Sequence, residues 1–250
     1  MLLEIKNLTV CYDTATVLDG VSLGIDKGEF VSIVGPNGAG KSTMLKAISG
    51  LMHWEREMVR GMRKEISNII IDGQVFFNGE ELSALPPHER VKRGLILCPE
   101  RGRPFRELTV YDNLRVAGYL CDRNTFKESL DKVYQLFPVL KERQKQISGT
   151  LSGGQRTMLS IARALMYEPK LMLIDEPSTG LAPIVKREMF NRVKDIYHGG
   201  ATILLVEQDV SFAFNLATRN YVLSKGKIVT EGTARDLMAD ERIRKVYLGL

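Results

Sequence analysis

Glu29-Phe30-Val31-Ser32-Ile33-Val34-Gly35-Pro36-Asn37-Gly38-Ala39-Gly40-Lys41-Ser42-Thr43-Met44-Leu45 is the stretch whose reading decides the fold. Residues 29–34 read as a buried strand, and residues 41–50 carry a helical pattern. Between them, residues 35–42 fit G-x-x-x-x-G-K-[ST], so the pattern sits where its chemistry requires, with a strand before and a helix after. The glycines let consecutive backbone N–H groups turn inward as a cradle for phosphate oxygens, at the positive end of a helix dipole. Lys41, expected to lie outside any core, would reach the outer phosphates, and the Ser42 hydroxyl, followed by Thr43, is placed to ligate Mg²⁺. Alone, this stretch predicts a nucleotide-binding P-loop in an α/β protein.

Working outward, Leu171-Met172-Leu173-Ile174-Asp175-Glu176 is an apolar run delivering two carboxylates at its end. In α/β sheets ligands bind at the carboxyl ends of the strands. Asp175 is therefore expected to hold Mg²⁺ through water, and Glu176 to orient or deprotonate the attacking water. Upstream, Leu151-Ser152-Gly153-Gly154-Gln155 opens a helix and offers a second anion site at a helix N-terminus. One nucleotide on one chain has no use for two such sites, unless a second subunit supplies the nucleotide that the second site meets.

The remaining patterns frame these three. Residues 2–10 and 21–25 alternate apolar and polar as half-buried strands do, predicting an N-terminal antiparallel β subdomain. In the second half, apolar strand runs alternate with helical segments, predicting a parallel sheet covered on both faces. Thr109 reads as a helix N-cap, and Lys225-Gly226 as the turn of a hairpin. Residues 52–71 stand apart. Trp54, Met58, Met62 and Ile66 recur every four residues among charges, predicting a helix with one apolar stripe that covers its neighbours or docks a partner.

The order P-loop, LSGGQ, apolar-Asp-Glu resembles that of the ATP-binding-cassette (ABC) ATPases, over essentially the whole chain. The resemblance implies a P-loop NTPase fold: a mainly parallel central sheet, the antiparallel β subdomain, and an inserted helical subdomain. It divides the single domain into a core (1–99 and 151–250), helices at 100–150, and an atypical insertion at 52–71. It also implies ATP and Mg²⁺ as ligands, and head-to-tail dimers in which the P-loop of one chain and the LSGGQ of the other hold each ATP. By the same likeness Tyr12 would stack on adenine, and residues 100–150 would receive a helix from membrane permease subunits.

Three positions depart from the commonest ABC pattern. Glu100 stands where Gln usually senses Mg²⁺ and the membrane partner; Ala182 stands where an Asp usually faces the other subunit; Gln208 stands at the switch position, usually His. Pro99-Glu100-Arg101, Gly180-Leu181-Ala182-Pro183, Val206-Glu207-Gln208, Pro86-Pro87-His88-Glu89-Arg90 and the ending Tyr247-Leu248-Gly249 together resemble the smaller ATPase subunit of branched-chain amino-acid ABC importers. That implies a second, different ATPase as partner and a cytoplasmic location on the inner face of the membrane. The insertion at 52–71 does not fit that group. An importer or exporter of another solute, or a soluble ABC ATPase of an assembly machine such as iron–sulfur cluster biogenesis, are the alternatives.

Composition excludes other classes. With 44% apolar and 26% charged residues among 250, the chain can bury a core, and it is neither disordered nor fibrous. No apolar run approaches the roughly 18–20 residues that span a bilayer. The formal charge of +5 is scattered and no nucleic-acid partner is expected. Cys11, Cys98 and Cys121 have neither disulfide-framework nor metal-ligand spacing.

Overall fold

The computed structural model describes residues 1–60, 68–100, 104–241 and 243–248. In chain order the elements are β1 (Leu3–Tyr12), β2 (Ala15–Ile25), β3 (Phe30–Val34), α1 (Lys41–Ser49), α2 (Leu51–Arg60), β4 (Ile69–Phe77), β5 (Glu80–Glu81), α3 (Pro87–Lys92) and β6 (Leu95–Cys98). There follow α4 (Val110–Ala117), α5 (Arg123–Leu136), α6 (Pro138–Glu142), α7 (Gly153–Leu165), β7 (Leu171–Asp175), α8 (Pro183–His198), β8 (Thr202–Glu207), α9 (Val210–Leu216), β9 (Arg219–Ser224), β10 (Lys227–Gly232) and α10 (Ala234–Ala239).

Two sheets organise these elements. A six-stranded sheet has the order β10-β9-β3-β8-β7-β6, and a four-stranded sheet the order β2-β1-β4-β5. In the larger sheet β9, β3, β8, β7 and β6 are parallel, and only β10 runs antiparallel, against β9. The smaller sheet is antiparallel throughout.

The parallel strands are buried on both faces, and the period of two sorts their side chains into two cores. Val31, Ile33, Leu171, Leu173, Leu204 and Val206 join Met44, Leu45 and Ile48 of α1 and the inner face of the small sheet. Phe30, Met172, Ile174, Ile203 and Leu205 face the other way, onto α4, α5, α7 and α8. The P-loop helix is therefore clamped between the two sheets, while LSGGQ rides on the opposite layer.

Local signals set several boundaries. Thr109 caps α4 by accepting from the Asp112 N–H at 3.0 Å, as the sequence predicts. Asp122 caps α5 by accepting from the Asn124 and Thr125 N–H groups at 2.9 and 3.1 Å. β2 begins at Ala15 rather than near residue 21. Its first half pairs with β1 across register shifts that the Asp19-Gly20 step hides from a strict alternation. In the insertion, α2 is a helix, but Trp54 is 52% exposed and Met52 is the residue buried beneath it. The rest of the predicted stripe (the Met58 side chain, Met62 and Ile66) lies outside the described residues, as does Gly249. No helix among the described residues is long and apolar enough to cross a membrane.

One buried cation fixes the far end of α1. Arg90 is 1% exposed; its guanidinium donates to the Ala47 and Ile48 carbonyls at 3.0 and 2.8 Å, and to those of Leu85 and Ser83 at 2.9 and 3.2 Å. It caps the orphan carbonyls of α1 and complements the negative end of its dipole. Burial pushes its pKa down to about 10, still charged at neutral pH. Arg90→Ala removes the donor from four carbonyls, two of them buried at the end of α1, where Ala47 keeps only the Gly50 N–H. Chemical denaturation is expected to register a loss of about 3 kcal/mol or more, with Arg90→Lys recovering less than half, since a point ammonium cannot match the fork.

Candidate nucleotide site

The site is built where β3 and β7 end. Gly35 follows β3 so closely against β9 that a Cβ there would lie 2.1 Å from the Leu223 carbonyl oxygen. Gly38 and Gly40 take φ of +78° and +104°, a left-handed backbone that side chains rarely adopt. The chain then enters α1 at Lys41, with Gly40 as N-cap and no side chain covering the helix N–H groups. Those groups stay available to an anion.

Lys41 is 4% exposed, folded back into its own loop rather than lying outside any core. Its Nζ donates to the Gly35 and Pro36 carbonyls at 3.0 and 3.2 Å and pairs with Glu176 Oε1 at 3.1 Å. The Ser42 hydroxyl donates to Asp175 Oδ1 at 3.0 Å. So the structure brings Lys41, Ser42, Asp175 and Glu176 into direct contact, from opposite ends of 133 residues of chain.

Glu176 has φ of +40°, a strained value for a residue with a side chain. Its N–H donates to the Val206 carbonyl at 2.9 Å, and its Oε2 accepts from the Thr179 hydroxyl at 3.1 Å. Thr179 was not legible as a site residue; the only signal was its place just after Asp-Glu.

Asp175 is 8% exposed, and its pKa is raised to about 6. Burial is the largest cause; the Glu176 and Glu100 charges add to it, while the Ser42 hydrogen bond and Lys41 oppose it. Half-buried Glu100 thus acts on the same pair of oxygens. A carboxylate and a hydroxyl side by side, with surplus negative charge around them, are a hard-cation donor set. Among the described residues no cluster of three or more His, Cys, Asp or Glu could hold a metal by itself.

Tyr12 closes the other side. At the end of β1 it is half-buried, beside Thr43, and its hydroxyl donates to Met52 Sδ at 3.3 Å. Burial raises its pKa above the usual tyrosine value. The insertion thus buttresses Tyr12.

Gln208 is exposed directly after β8, one residue beyond the Glu207 that pairs with Val34 at the root of the P-loop. The Ser152–Gln155 turn closes on itself in a capping box: the Gln155 N–H donates to Ser152 Oγ at 3.3 Å, and the Ser152 N–H to Gln155 Oε1 at 3.1 Å. Its two glycines divide the work. A Cβ on buried Gly154 would lie 2.4 Å from Val185 Cγ1, so this glycine lets α7 pack on α8. A Cβ on Gly153 would meet only Leu181, at 3.9 Å, so this glycine leaves an approach open from solvent. A separate cavity of about 510 Å³, between α5 and α8, shares no residue with the P-loop.

A P-loop cradle with an internal lysine, a hydroxyl–carboxylate pair and a neighbouring glutamate defines a nucleoside-triphosphatase site. Residues 18–179 match the ABC transporter family model, and the chain belongs to that family: it is an ATP-binding ABC ATPase. It is 39% identical, over 99% of its length and 100% of the relative's, to the high-affinity branched-chain amino acid transport ATP-binding protein BraG of Pseudomonas aeruginosa. It is 34% identical, over 99% and 97%, to the lipopolysaccharide export system ATP-binding protein LptB of Haemophilus influenzae. Among solved structures, an ABC transporter cassette in its ADP conformation superposes with a TM-score of 0.78 at 28% identity, covering 100% of this chain and 99% of that one. A dimeric bacterial ABC transporter cassette superposes with a TM-score of 0.77 at 25% identity, covering 94% and 99%.

The raised Asp175 pKa sets a pH signature for the nucleotide-free chain. A folded-state pKa above the unfolded value near 3.9 means that folding disfavours the ionised carboxyl. That penalty is complete above the folded pKa of about 6 and gone below roughly pH 4. Asp175→Asn keeps an oxygen to accept from Ser42 and removes the charge. Denaturation at pH 8 is expected to show the variant more stable by about 1–3 kcal/mol, with the gain shrinking as pH falls from 6 to 4.

Proposed function

We propose that this chain is the Mg²⁺-dependent ATP-hydrolysing subunit of a membrane ABC transporter, working on the inner face of the membrane with permease subunits and a second ATPase. The contact set of Lys41, Ser42, Asp175 and Glu176 carries the reading. In it, the backbone N–H groups of residues 37–43 cradle the phosphates, and Lys41 leaves Glu176 to neutralise them. Ser42 and Asp175, with Glu100 nearby, would hold Mg²⁺, which supplies charge neutralisation at the transferred phosphoryl group. Glu176, freed from Lys41, orients and deprotonates water, with Thr179 fixing one of its oxygens. Tyr12 offers its ring to the adenine.

One chain supplies half of this site. Ser152, Gly153, Gly154 and Gln155 open α7, and the open side of Gly153 suits the γ-phosphate held by another subunit. The dimeric cassette supports a pair, which the family resemblance would make head-to-tail; likeness to branched-chain importers supports a different ATPase as the mate. Gln208 would then donate to the γ-phosphate once the dimer closes. The helices α4, α5 and α6 would be the helical subdomain. Between α3, β6, α4 and α7 lies a groove of about 280 Å³, lined by Pro87, Val91, Leu97, Ala117 and Tyr167, that suits a helix from a permease.

The solute we favour is a branched-chain amino acid, from the full-length likeness to BraG. A lipid exporter is the second reading, favoured by the full-length likeness to LptB. Uptake of leucine by proteoliposomes holding the chain with its membrane subunits would support the first; ATP-driven lipid extraction without uptake would support the second.

Glu176→Gln keeps the shape and removes the base. Turnover is expected to fall by roughly 10²–10⁴-fold, with the ATP-closed dimer accumulating in gel filtration. Unchanged turnover, or a variant that never dimerises with ATP and its partner, would contradict the assignment.

A further inference from the structure

Glu207, the last residue of β8, stands in a subfamily stretch but has been given no role. It is 1% exposed, and backbone N–H groups hold both of its carboxylate oxygens. Oε1 accepts from the Ser178 N–H at 3.1 Å, 29 residues away in the loop that leads from Glu176 to α8. Oε2 accepts from the N–H groups of Gln208 at 3.1 Å and Asp209 at 3.4 Å. The residue before it, Val206, accepts the Glu176 N–H. The register of β8 pairs Glu207 with Val34, at the root of the P-loop. Asp209 reaches onward to Lys186 of α8 at 3.6 Å.

We propose that Glu207 is a positioning residue that ties the loop carrying Glu176, Ser178 and Thr179 to the loop carrying Gln208, so that the two move as one body. The proposal rests on the reading of the site given above, in which Gln208 faces the γ-phosphate, and on the family resemblance that sets Ala182, at the end of the first loop, toward the second subunit. Contact made by the mate on the first loop is then passed through one carboxylate to the second, with no wire longer than a side chain. The chemistry explains the residue type. Each end must accept and neither can donate, so only a carboxylate of this length serves. A glutamine in its place turns an NH₂ toward one of the loops, leaving buried N–H groups opposed to a donor. An aspartate can still accept from Gln208 and Asp209, its chain neighbours, but falls one methylene short of Ser178.

Two variants and two readouts test the tie. In the isolated chain, Glu207→Asp is expected to speed hydrogen exchange at the Ser178 amide by about tenfold or more, while Gln208 and Asp209 keep their protection; one lost buried hydrogen bond accounts for a factor of that order. In the assembled complex at saturating ATP·Mg²⁺, both Glu207→Gln and Glu207→Asp are expected to lower kcat at least about tenfold. ATP affinity of the isolated chain should stay within about twofold, because the P-loop itself is untouched. Unchanged exchange at Ser178, kcat near that of the unaltered protein in both variants, or a kcat loss matched by equal losses of melting temperature and ATP affinity would each overturn the tie. If Glu176→Gln hydrolyses ATP as fast as the unaltered chain, the reading of the site is what fails; the exchange result still decides the tie by itself.

Discussion

The site depends on the placement of one ammonium group. Lys41 sits buried inside the loop that precedes it, shared between two loop carbonyls and the Glu176 carboxylate. Without that cation, Asp175, Glu176 and Glu100 would crowd like charge into a half-closed cleft, and the burial that already lifts Asp175 would have less opposing it. In the proposed function, phosphates draw Lys41 away from Glu176 and so free the glutamate for water, which would make binding and the arming of the base one event.

The fold supplies the rigidity that this exchange needs. β3 and β7 place the P-loop and the two carboxylates at the same edge of the parallel sheet, joined through β8 between them. α1 is held at both ends, by the sheet and small-sheet core along its length and by Arg90 at its C-terminus. On the opposite layer α7 packs close to α8 because Gly154 has no side chain. That packing leaves Ser152 and Gly153 exposed, as the proposed function requires if they are to meet the nucleotide of another chain.

Much of this was legible in the sequence because phosphate chemistry constrains residue type and spacing together. The P-loop glycines, Lys41, Ser42, Asp175 and Glu176 could be named, and the structure does bring them together. What could not be read follows from contacts made with the backbone. Arg90 was visible as part of a subfamily stretch, but its four partners are carbonyls, which carry no sequence signature. Glu207 likewise grips N–H groups, and Lys41 was expected outside the core because its resting partners are two carbonyls and a residue 135 positions away. The first half of β2 was missed where Asp19-Gly20 breaks the alternation, and Trp54 outweighed Met52 in reading α2, although Met52 is the one that packs against Tyr12.

The central claim is that Glu176 is the resting counter-ion of Lys41 and competes with phosphate for it. Calorimetric titration of the monomeric chain with ATP, in the absence of Mg²⁺, tests this most directly when unaltered protein and Glu176→Gln are compared. Removing the competing charge is expected to tighten ATP binding by about three- to tenfold, the size of one partly exposed ion pair. Equal or weaker binding by Glu176→Gln would contradict the account, because Lys41 would then owe nothing to Glu176.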